Sequence, residues 1–511
     1  MNNRLLYTHS LFTMRILHVA IALLAMTALL RVGVNFWLMH ERYALDNAEG
    51  LVAFGAKYIT DFRISYHRID QPPYLTYPYT PLYYLLVRGI QPLFGDDLLV
   101  TGRLTSTLAG VAIGFVLGAL VFGIAPRRIP RPRRIVFAIL AGLLPFQLET
   151  YYWTAYMRVD ILALLFTFSG LAAFLLSRGR LGPQLAAVVC FVAAFYTKQT
   201  NVAAAGACLL LQTIVDYRRA AYLAGFGVAL LLAFGGVWTW LSHAGFLVNI
   251  LRYDLNPYSL VNALHMMAKN VAGFGELLPV GLLAAALQAQ RYTQRPIAKV
   301  RAAARTWRLR FALALCSLHL ALSFAVTLTV GKRGANYNYF LEWNVSVCLL
   351  SALLAVWWFG VPQPPRTRAA APALLATVLL CLGIVAPLRL MESLPFNAER
   401  RTELAERRQQ LRSVLDQIRA AHGPVLTDDL TLLYLAGKDV YVDPFVLSML
   451  VGTWDQTPVV EKIRNGGFAL VTGEFLNSST VFYTKEMQAA IRERYQLVAV
   501  TAGHAILLPK P

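Results

Sequence analysis

The chain has 511 residues, of which 57% are hydrophobic and only 14% are charged, and its mean hydropathy is +0.52. Because soluble domains carry roughly 25% charged residues, this composition excludes an ordinary soluble protein and predicts an α-helical protein that crosses a membrane many times. The formal charge of +20 would also suit nucleic-acid binding, and the positions of the basic residues decide between the two.

About eleven segments are apolar enough to cross a bilayer, which takes about 20 residues each. They are 14–38, 98–124, 135–150, 159–177, 184–198, 201–216, 220–241, 273–290, 310–330, 338–360 and 370–389. No small-residue cleavage site follows the first segment, so we expect it to be retained as a helix.

The basic residues are concentrated in five loops between these segments, which hold 18 Lys and Arg and no Asp or Glu: 127–134, 178–180, 218–219, 291–310 and 366–368. All five lie on one side of the membrane if the N-terminus is cytoplasmic, as the positive-inside rule requires. The positive charge is therefore explained without nucleic-acid binding. It predicts a multi-pass protein of the inner (plasma) membrane with a cytoplasmic N-terminus.

The other side receives a long first outer loop at about 40–97, a second loop at 243–272, a short turn "GKRGANYNYF" and the tail. We expect residues 1–389 to form a transmembrane domain and residues 390–511 a small soluble α/β domain that is periplasmic or extracellular. The tail predicts one amphipathic helix ending at Gly423. It also predicts short strands within "KDVYVDPFV", "GFALVTGEF" and "YQLVAVTAGHAILLPKP".

Within the first outer loop, the stretch Tyr74 to Gly95 begins with prolines and has an apolar body too short to span comfortably. We expect a helix lying at the membrane interface, and a buried re-entrant segment is the alternative. Tyrosines are typical of the headgroup level, and the stretch offers Tyr77, Tyr79, Tyr83 and Tyr84.

Asp46 and Glu49 lie just outside the first apolar segment. A helical turn would put two residues three apart on one face, and a carboxylate near the membrane surface can act as a general base. The alternative is a solvated loop in which Glu41, Arg42 and Lys57 are the partners of these carboxylates.

Arg158 and Asp160 stand at the outer end of another apolar segment. Ionisable residues at membrane depth are costly and are functional candidates for that reason, although a pair at the interface can also reach water. Lys198 and Gln199 lie in the turn between two short apolar segments. An ammonium beside amide groups suits a phosphate at headgroup level, whereas a lone Lys can simply anchor the turn.

The turn "VGKRGANYNYFLEW" combines basic, amide, phenol and carboxylate groups that suit phosphate and sugar hydroxyls, or else an aromatic belt at the membrane surface. Its candidates are Lys332, Arg333, Asn336, Tyr337 and Glu342. The chain has no GxGxxG, Walker or HExxH pattern. Its five cysteines lie in apolar segments without CxxC or Cys/His spacing, so neither a disulfide framework nor a thiolate metal site is predicted.

These motifs, in this order, resemble the integral-membrane GT-C-type glycosyltransferases, which include protein O-mannosyltransferases and aminoarabinose transferases. The resemblance rests on "LDNAEG", "YPYTPLYYLL", "RVDILALLFTFSGLAAF", "YTKQTN" and "GANYNYFLEW" and covers roughly residues 14 to 389. It implies transfer of a sugar from a polyprenyl-phosphate carrier to the hydroxyl of a glycan, lipid or protein acceptor at the outer face, with inversion.

The resemblance also implies roles for the candidate residues. A first-loop carboxylate would be the general base, with Asp46 preferred; Glu49 is the alternative, since many members have adjacent Asp-Glu and this chain does not. The residues implied to hold the donor phosphate are Lys198, Arg158, Arg333 and Lys332. Those implied to contact sugar or acceptor are Tyr77, Tyr79, Asp160, Gln199, Asn336, Tyr337 and Glu342. Some relatives hold a divalent metal near the first-loop acid, but no cluster of ligand spacing requires one here.

Two other functions compete. A flippase or carrier for an anionic lipid would also need Lys and Arg at membrane depth, and the short segments around Lys198 are similar to interrupted transporter helices. Against it, the sequence has no two-half symmetry and its charged residues gather at one face. The second alternative is that the tail is an interaction module on an inert membrane anchor. An anchor, however, would not need so large a first outer loop.

Overall fold

The structure, a computed structural model, describes residues 2–95, 97–274, 281, 308–360, 370–393, 398–450, 454–474 and 482–511. Helices dominate from the N-terminus to residue 393. They are α1 Asn2–Leu38, α2 Glu49–Tyr58, α3 Leu82–Ile90, α4 Leu98–Ile124, α5 Arg131–Leu143, α6 Val159–Leu176, α7 Leu181–Thr197, α8 Ala203–Val215, α9 Tyr217–Leu241, α10 Leu260–Phe274, α11 Arg308–Thr327, α12 Leu341–Gly360 and α13 Ala370–Ser393.

Seven helices in the described part of the chain are long and apolar enough to cross a membrane: Thr13–Leu38, Leu98–Ile124, Val159–Leu176, Tyr217–Leu241, Leu309–Gly331, Tyr337–Phe359 and Pro372–Met391. They confirm the predicted helical multi-pass membrane protein. An 18-residue stretch of the segment Tyr337–Phe359 is buried throughout, so other helices surround that stretch.

The remaining predicted segments differ in detail. The segment predicted at 135–150 is a bent pair, Arg131–Gln147 and Glu149–Ala155, which meet at 85° and bring the total to eight if counted as one span. Leu181–Thr197 and Ala203–Val215 are apolar but shorter than a full span. The predicted segment 273–290 lies almost entirely outside the described residues.

The stretch Tyr74 to Gly95 is not one interfacial helix. Only Leu82–Ile90 is α-helical, followed by a 3-10 turn, because Pro78 and Pro81 disfavour helix in the residues before them. The rings of Tyr77, Tyr83 and Tyr84 are fully buried in the protein rather than placed among lipid headgroups. The buried alternative therefore describes this segment better.

The tail begins with the helix α14 Ala398–Ala420, whose buried face carries Leu411, Val414, Leu415 and Ile418. It continues with β1 Val425–Thr427, α15 Leu430–Leu435, α16 Pro444–Met449, α17 Thr457–Arg464, β2 Leu470–Gly473, α18 Lys485–Arg494, β3 Tyr495–Thr501 and β4 His504–Pro509. The four strands form one sheet in the order β1-β2-β4-β3, in which only the β1–β2 pair is parallel.

The predicted α/β tail is therefore confirmed, with one error. The segment "KDVYVDPFV" is not a strand of the sheet. It makes a single bridge between Val442 and Tyr74 of the first outer loop and then enters α16. The short strand β1 was not predicted, since three residues are too few to show an alternating pattern.

The tail lies directly on the first outer loop. The amide of Tyr74 donates to the carbonyl of Tyr441 at 2.8 Å, and the amide of Asp443 donates to the carbonyl of Tyr74 at 3.0 Å. Lys57 of α2 pairs with Asp439 at 2.9 Å. These contacts hold the loop that carries Asp46 and Glu49 between the helix bundle and the tail.

Candidate functional site

Glu49 is fully buried at the start of α2 and is ion-paired with Arg103 of α4, which is also fully buried. One carboxylate oxygen accepts from Arg103 Nε at 2.9 Å and from the amide of Met157 at 2.8 Å. The other accepts from Arg103 Nη2 at 2.6 Å and from the amide of Leu45 at 2.8 Å. A carboxylate has about four acceptor positions, so Glu49 has none left for a substrate proton.

Asp46 lies in the turn before α2, where its side chain is 15% exposed. One carboxylate oxygen accepts from the amide of Ala48 at 3.1 Å and from Arg158 Nη1 at 2.8 Å. Of the two candidate general bases, Asp46 is thus the one that is partly exposed, whereas Glu49 is fully buried.

Arg158 joins Asp46 to the aromatic residues around it. Its Nη2 donates to the phenol oxygen of Tyr79 at 2.9 Å, and its guanidinium lies 4.9 Å from the ring centroid of Trp153. Burial raises the pKa of Tyr79 to about 12, so the phenol keeps its proton at neutral pH. That proton remains available for a ligand because Tyr79 accepts, and does not donate, in its contact with Arg158.

Asp160 lies between Lys198 and Arg158, two of the four cations predicted to hold the donor phosphate. One of its oxygens accepts from Lys198 Nζ at 2.6 Å and from Asn338 Nδ2 at 2.8 Å. The other lies 3.5 Å from Arg158 Nε and has no hydrogen-bond partner. A donor phosphate at Lys198 would therefore have to share or displace Asp160. Lys198 also lies 4.8 Å from the ring centroid of Tyr339.

A second charged group borders this cluster. Asp254 lies 3.7 Å from Lys332 Nζ and near the side chain of Gln199. Burial raises the pKa of Asp254 above its ordinary value, although Lys332 opposes the shift. Gln199 also donates to the carbonyl of Pro78 at 2.7 Å. Acidic and basic side chains alternate in the order Asp46, Arg158, Asp160, Lys198, Asp254 and Lys332. Their charges therefore largely cancel.

The turn before α12 places its candidates apart from one another. The amide of Arg333 donates to the carbonyl of Pro257 at 2.8 Å, which ties this turn to the second outer loop. The side chain of Asn336 accepts from the amide of Tyr337 at 2.7 Å. Tyr337 lines a cavity of about 290 Å³ together with Glu149 and Tyr152. Asn336 is thus used in capping the turn, whereas Tyr337 faces open space.

Glu342 and Tyr77 are placed differently from what a sugar contact requires. Glu342 pairs with the fully buried His319 at 2.8 Å and lines only a small polar cavity of about 20 Å³, which Asp160 and Lys198 also line. Tyr77 is 1% exposed, and its ring packs 4.7 Å from that of Tyr66. Because it has no surface for a ligand, we remove Tyr77 from the proposed sugar-contacting residues.

A cavity of about 800 Å³ is lined by Leu45 and Asn47, the chain neighbours of Asp46. Tyr152 and Tyr156 also line it, together with residues of α1, α13 and α14 and His504 of the tail. Two residues that line this cavity carry a buried polar atom without a hydrogen-bond partner, Nε of Arg31 and Oε1 of Gln147. The cavity is large enough for a polar headgroup, and its walls offer donors and an acceptor.

The possible divalent metal finds no ligand set. No group of three or more His, Cys, Asp or Glu side chains that could hold a metal ion occurs in the described part of the chain. The first-loop acid Asp46 instead has a guanidinium at 2.8 Å, a cation where a metal would have to bind. We therefore derive no step through a metal.

The chain is similar in structure to several solved proteins. The chain matches ArnT from Cupriavidus metallidurans, solved bound to undecaprenyl phosphate, with a TM-score of 0.56 and 14% identity over 94% of this chain and 97% of that one. The chain has the GT-C fold.

This GT-C fold is also that of the Archaeoglobus fulgidus oligosaccharyltransferase tethered with an acceptor peptide, with a TM-score of 0.54 and 12% identity over 94% of this chain and 72% of that one. The same archaeal enzyme, AglB, in complex with an inhibitory peptide and a dolichol-phosphate, gives a TM-score of 0.50 at 12% identity, over 93% of this chain and 72% of that one. No protein-family model and no curated protein matches the sequence.

Sequence reasoning missed Arg103 and Asp254 as members of the site, and it included Asn338 in the turn "VGKRGANYNYFLEW" without assigning it a role. Arg103 carried a usable signal, since it is a lone cation inside an otherwise apolar span and such residues need a buried partner. Asp254 lies in a polar loop, where nothing in the sequence distinguishes it from a solvated residue.

Proposed function

We propose that this GT-C-fold protein is a glycosyltransferase that moves a sugar from a polyprenyl-phosphate carrier to an acceptor hydroxyl at the outer face of the inner (plasma) membrane. The observation that carries the proposal is the contact between Asp46 and Arg158. It puts a partly exposed carboxylate beside a cation, between two residues that line a cavity of about 800 Å³, in a fold whose solved members include ArnT bound to undecaprenyl phosphate.

In the proposed reaction Asp46 is the general base. It takes the proton of the acceptor hydroxyl while that oxygen attacks the anomeric carbon of the sugar. The bond between this carbon and the phosphate oxygen breaks, and polyprenyl phosphate leaves from the opposite face, so the configuration inverts. The charge that develops on the leaving phosphate is stabilised by Lys198 and Arg158.

The donor phosphate would compete with Asp160 for these two cations. Asp160 binds Lys198 at 2.6 Å, so in the absence of donor it holds the ammonium in place. Tyr79 and Tyr337 are the proposed contacts to sugar or acceptor. The phenol of Tyr79 lies against Arg158, and Tyr337 lines the cavity of about 290 Å³. The 800 Å³ cavity is the proposed approach for a glycan, lipid or protein acceptor.

The proposed orientation follows the positive-inside rule, with a cytoplasmic N-terminus and the tail outside. The first outer loop, the second outer loop and the turn before α12 contact one another, for example through Asn249 and the amide of Tyr77 at 2.8 Å and through the bridge between Tyr258 and Lys332. These segments therefore share one end of the helix bundle, as the orientation requires.

The test is transfer of labelled sugar from a panel of polyprenyl-phosphate sugars by the full-length protein in lipid vesicles. Asp46→Asn should reduce turnover at least ~100-fold, since general base catalysis typically contributes that much, while binding of the carrier lipid is kept. Asp61→Asn is the matched control, because Asp61 forms an exposed pair with Arg63 in the same loop. Movement of carrier lipid between leaflets without transfer from any donor would favour the flippase instead.

A further inference from the structure

The buried pair Glu49–Arg103 is placed so that it touches both halves of the proposed site at once. Glu49 accepts from the amide of Leu45, which directly precedes Asp46, and from the amide of Met157, which directly precedes Arg158. One carboxylate thus joins the backbone on the two sides of the Asp46–Arg158 contact.

Arg103 of α4 makes further hydrogen bonds to the first outer loop. Besides the two bonds to Glu49, its guanidinium donates to the carbonyl of Glu41, and Nη2 donates to the carbonyl of Tyr43 at 2.8 Å. These bonds fix the first loop on its way to Asp46. Both side chains of the pair are 0% exposed, so water cannot replace any of the bonds.

The same helix also holds the Arg158 side. Gly102 lies so close to Met157 that a Cβ there would overlap its side chain, and Ser106 donates to the carbonyl of Arg158 at 3.3 Å. Three residues of α4 therefore fix the positions of both Asp46 and Arg158: Gly102, Arg103 and Ser106.

We infer that Glu49 and Arg103 are positioning residues, which act by fixing Asp46 against Arg158 and not by contacting substrate. The inference rests on the proposed function, since it assigns the pair a role in the reaction that Asp46 serves. It also removes Glu49 as the general base, because each of its oxygens already accepts two hydrogen bonds.

A single substitution would leave one buried charge without its partner, and such a variant often fails to fold. The test therefore uses the double variant Glu49→Met/Arg103→Met, since apolar residues of similar volume commonly replace a buried ion pair without loss of the fold. It removes the acceptor of the two amides and keeps the volume. The matched control is Asp61→Asn/Arg63→Met, which removes an exposed pair of the same loop.

Two readouts are measured on full-length protein in lipid vesicles, beside Asp46→Asn. We expect the double variant to fold and to bind undecaprenyl phosphate like the wild type. Its kcat should fall about 100-fold, the cost of misplacing a reacting group by ~1 Å. Hydrogen exchange should show that the amides of Leu45 and Met157 both lose protection, whereas both stay protected in the control.

The outcomes separate this inference from the proposed function. Turnover lost in Asp46→Asn but unchanged in the folded double variant would overturn the positioning role and leave the function standing. A fall in kcat that comes entirely from lost carrier binding, or amides that stay protected, would also overturn it. Full turnover in Asp46→Asn would overturn the proposed base, and the positioning role with it.

Discussion

Gly50 of α2 lies against the backbone of Thr431 in α15, so closely that a Cβ on Gly50 would overlap the Thr431 nitrogen. Gly50 directly follows Glu49, so the tail contacts the first outer loop one residue from the buried pair. The nearest atoms on the tail side belong to the backbone, so no flexible side chain can move away to make room for a Cβ on Gly50. The tail is therefore packed into the candidate site and not merely appended to it.

Gly50→Ala should weaken this junction by about 1–3 kcal/mol, the usual cost of overpacking a tight contact. Limited proteolysis of the tail in lipid vesicles measures the effect, which should appear as faster cleavage between α14 and α15. Gly89→Ala is the matched control, because Gly89 lies in α3 and nothing comes within 4 Å of a Cβ there. Equal proteolysis rates for both variants would contradict the close approach.

Tyr79→Phe should lower kcat/KM about tenfold, because it removes the hydrogen bond to Arg158, and bonds to charged groups contribute about 1.5–3 kcal/mol. Steady-state kinetics measure it. Tyr77→Phe provides the contrast: its buried hydroxyl has no hydrogen-bond partner, so its loss should leave turnover unchanged. A larger loss in Tyr77→Phe than in Tyr79→Phe would return Tyr77 to the site.

Lys198→Gln should weaken binding of undecaprenyl phosphate at least ~10-fold, since an amide keeps a hydrogen bond to Asp160 but loses the charge for phosphate. Binding to the purified protein in detergent gives the constant. Lys485→Gln, at an exposed position of helix α18 in the tail, carries the same change in net charge and should bind as the wild type. Equal weakening in the two variants would indicate a general electrostatic effect in place of a phosphate site.

Asp443 gives the tail a pH dependence with a defined sign. It is 3% exposed and caps α16 through the amides of Phe445 and Val446. Burial raises its pKa to about 6, against the lowering effect of those two amides. A carboxyl whose folded pKa exceeds its unfolded value binds more protons when folded, so the free energy of unfolding falls as pH rises between about 4 and 6.

Asp443→Asn keeps the capping acceptor and removes the titration. Hydrogen exchange of the tail between pH 4 and pH 7.5 should therefore show a wild type that loses protection with rising pH, and a variant that loses less. At pH 7.5 the variant should be the more stable of the two. Subtracting the two curves removes the contribution of His504, whose pKa is also raised: burial lowers it, but the bond and charge of Asp429 outweigh that effect. Parallel curves would refute the assignment.

The helical bundle, the short paired segments around Lys198 and the α/β tail could be predicted from the sequence, because apolar length and charge placement are local properties. The chemistry of Asp46, Arg158, Asp160 and Lys198 could also be proposed, since ionisable residues at the ends of apolar spans are rare. Their pairing could not, because Asp46 and Arg158 are 112 residues apart and meet only when α4 and α6 pack together.

The sequence by itself determined that this chain is a multi-pass membrane protein with its polar chemistry at one face, because burying apolar surface and excluding charge from lipid act on every residue independently. Only the tertiary structure decided which of the two candidate carboxylates is exposed. Asp46 and Glu49 are chemically equivalent and three residues apart. Yet Glu49 turns towards Arg103, where four hydrogen bonds fill its oxygens, and Asp46 remains partly exposed.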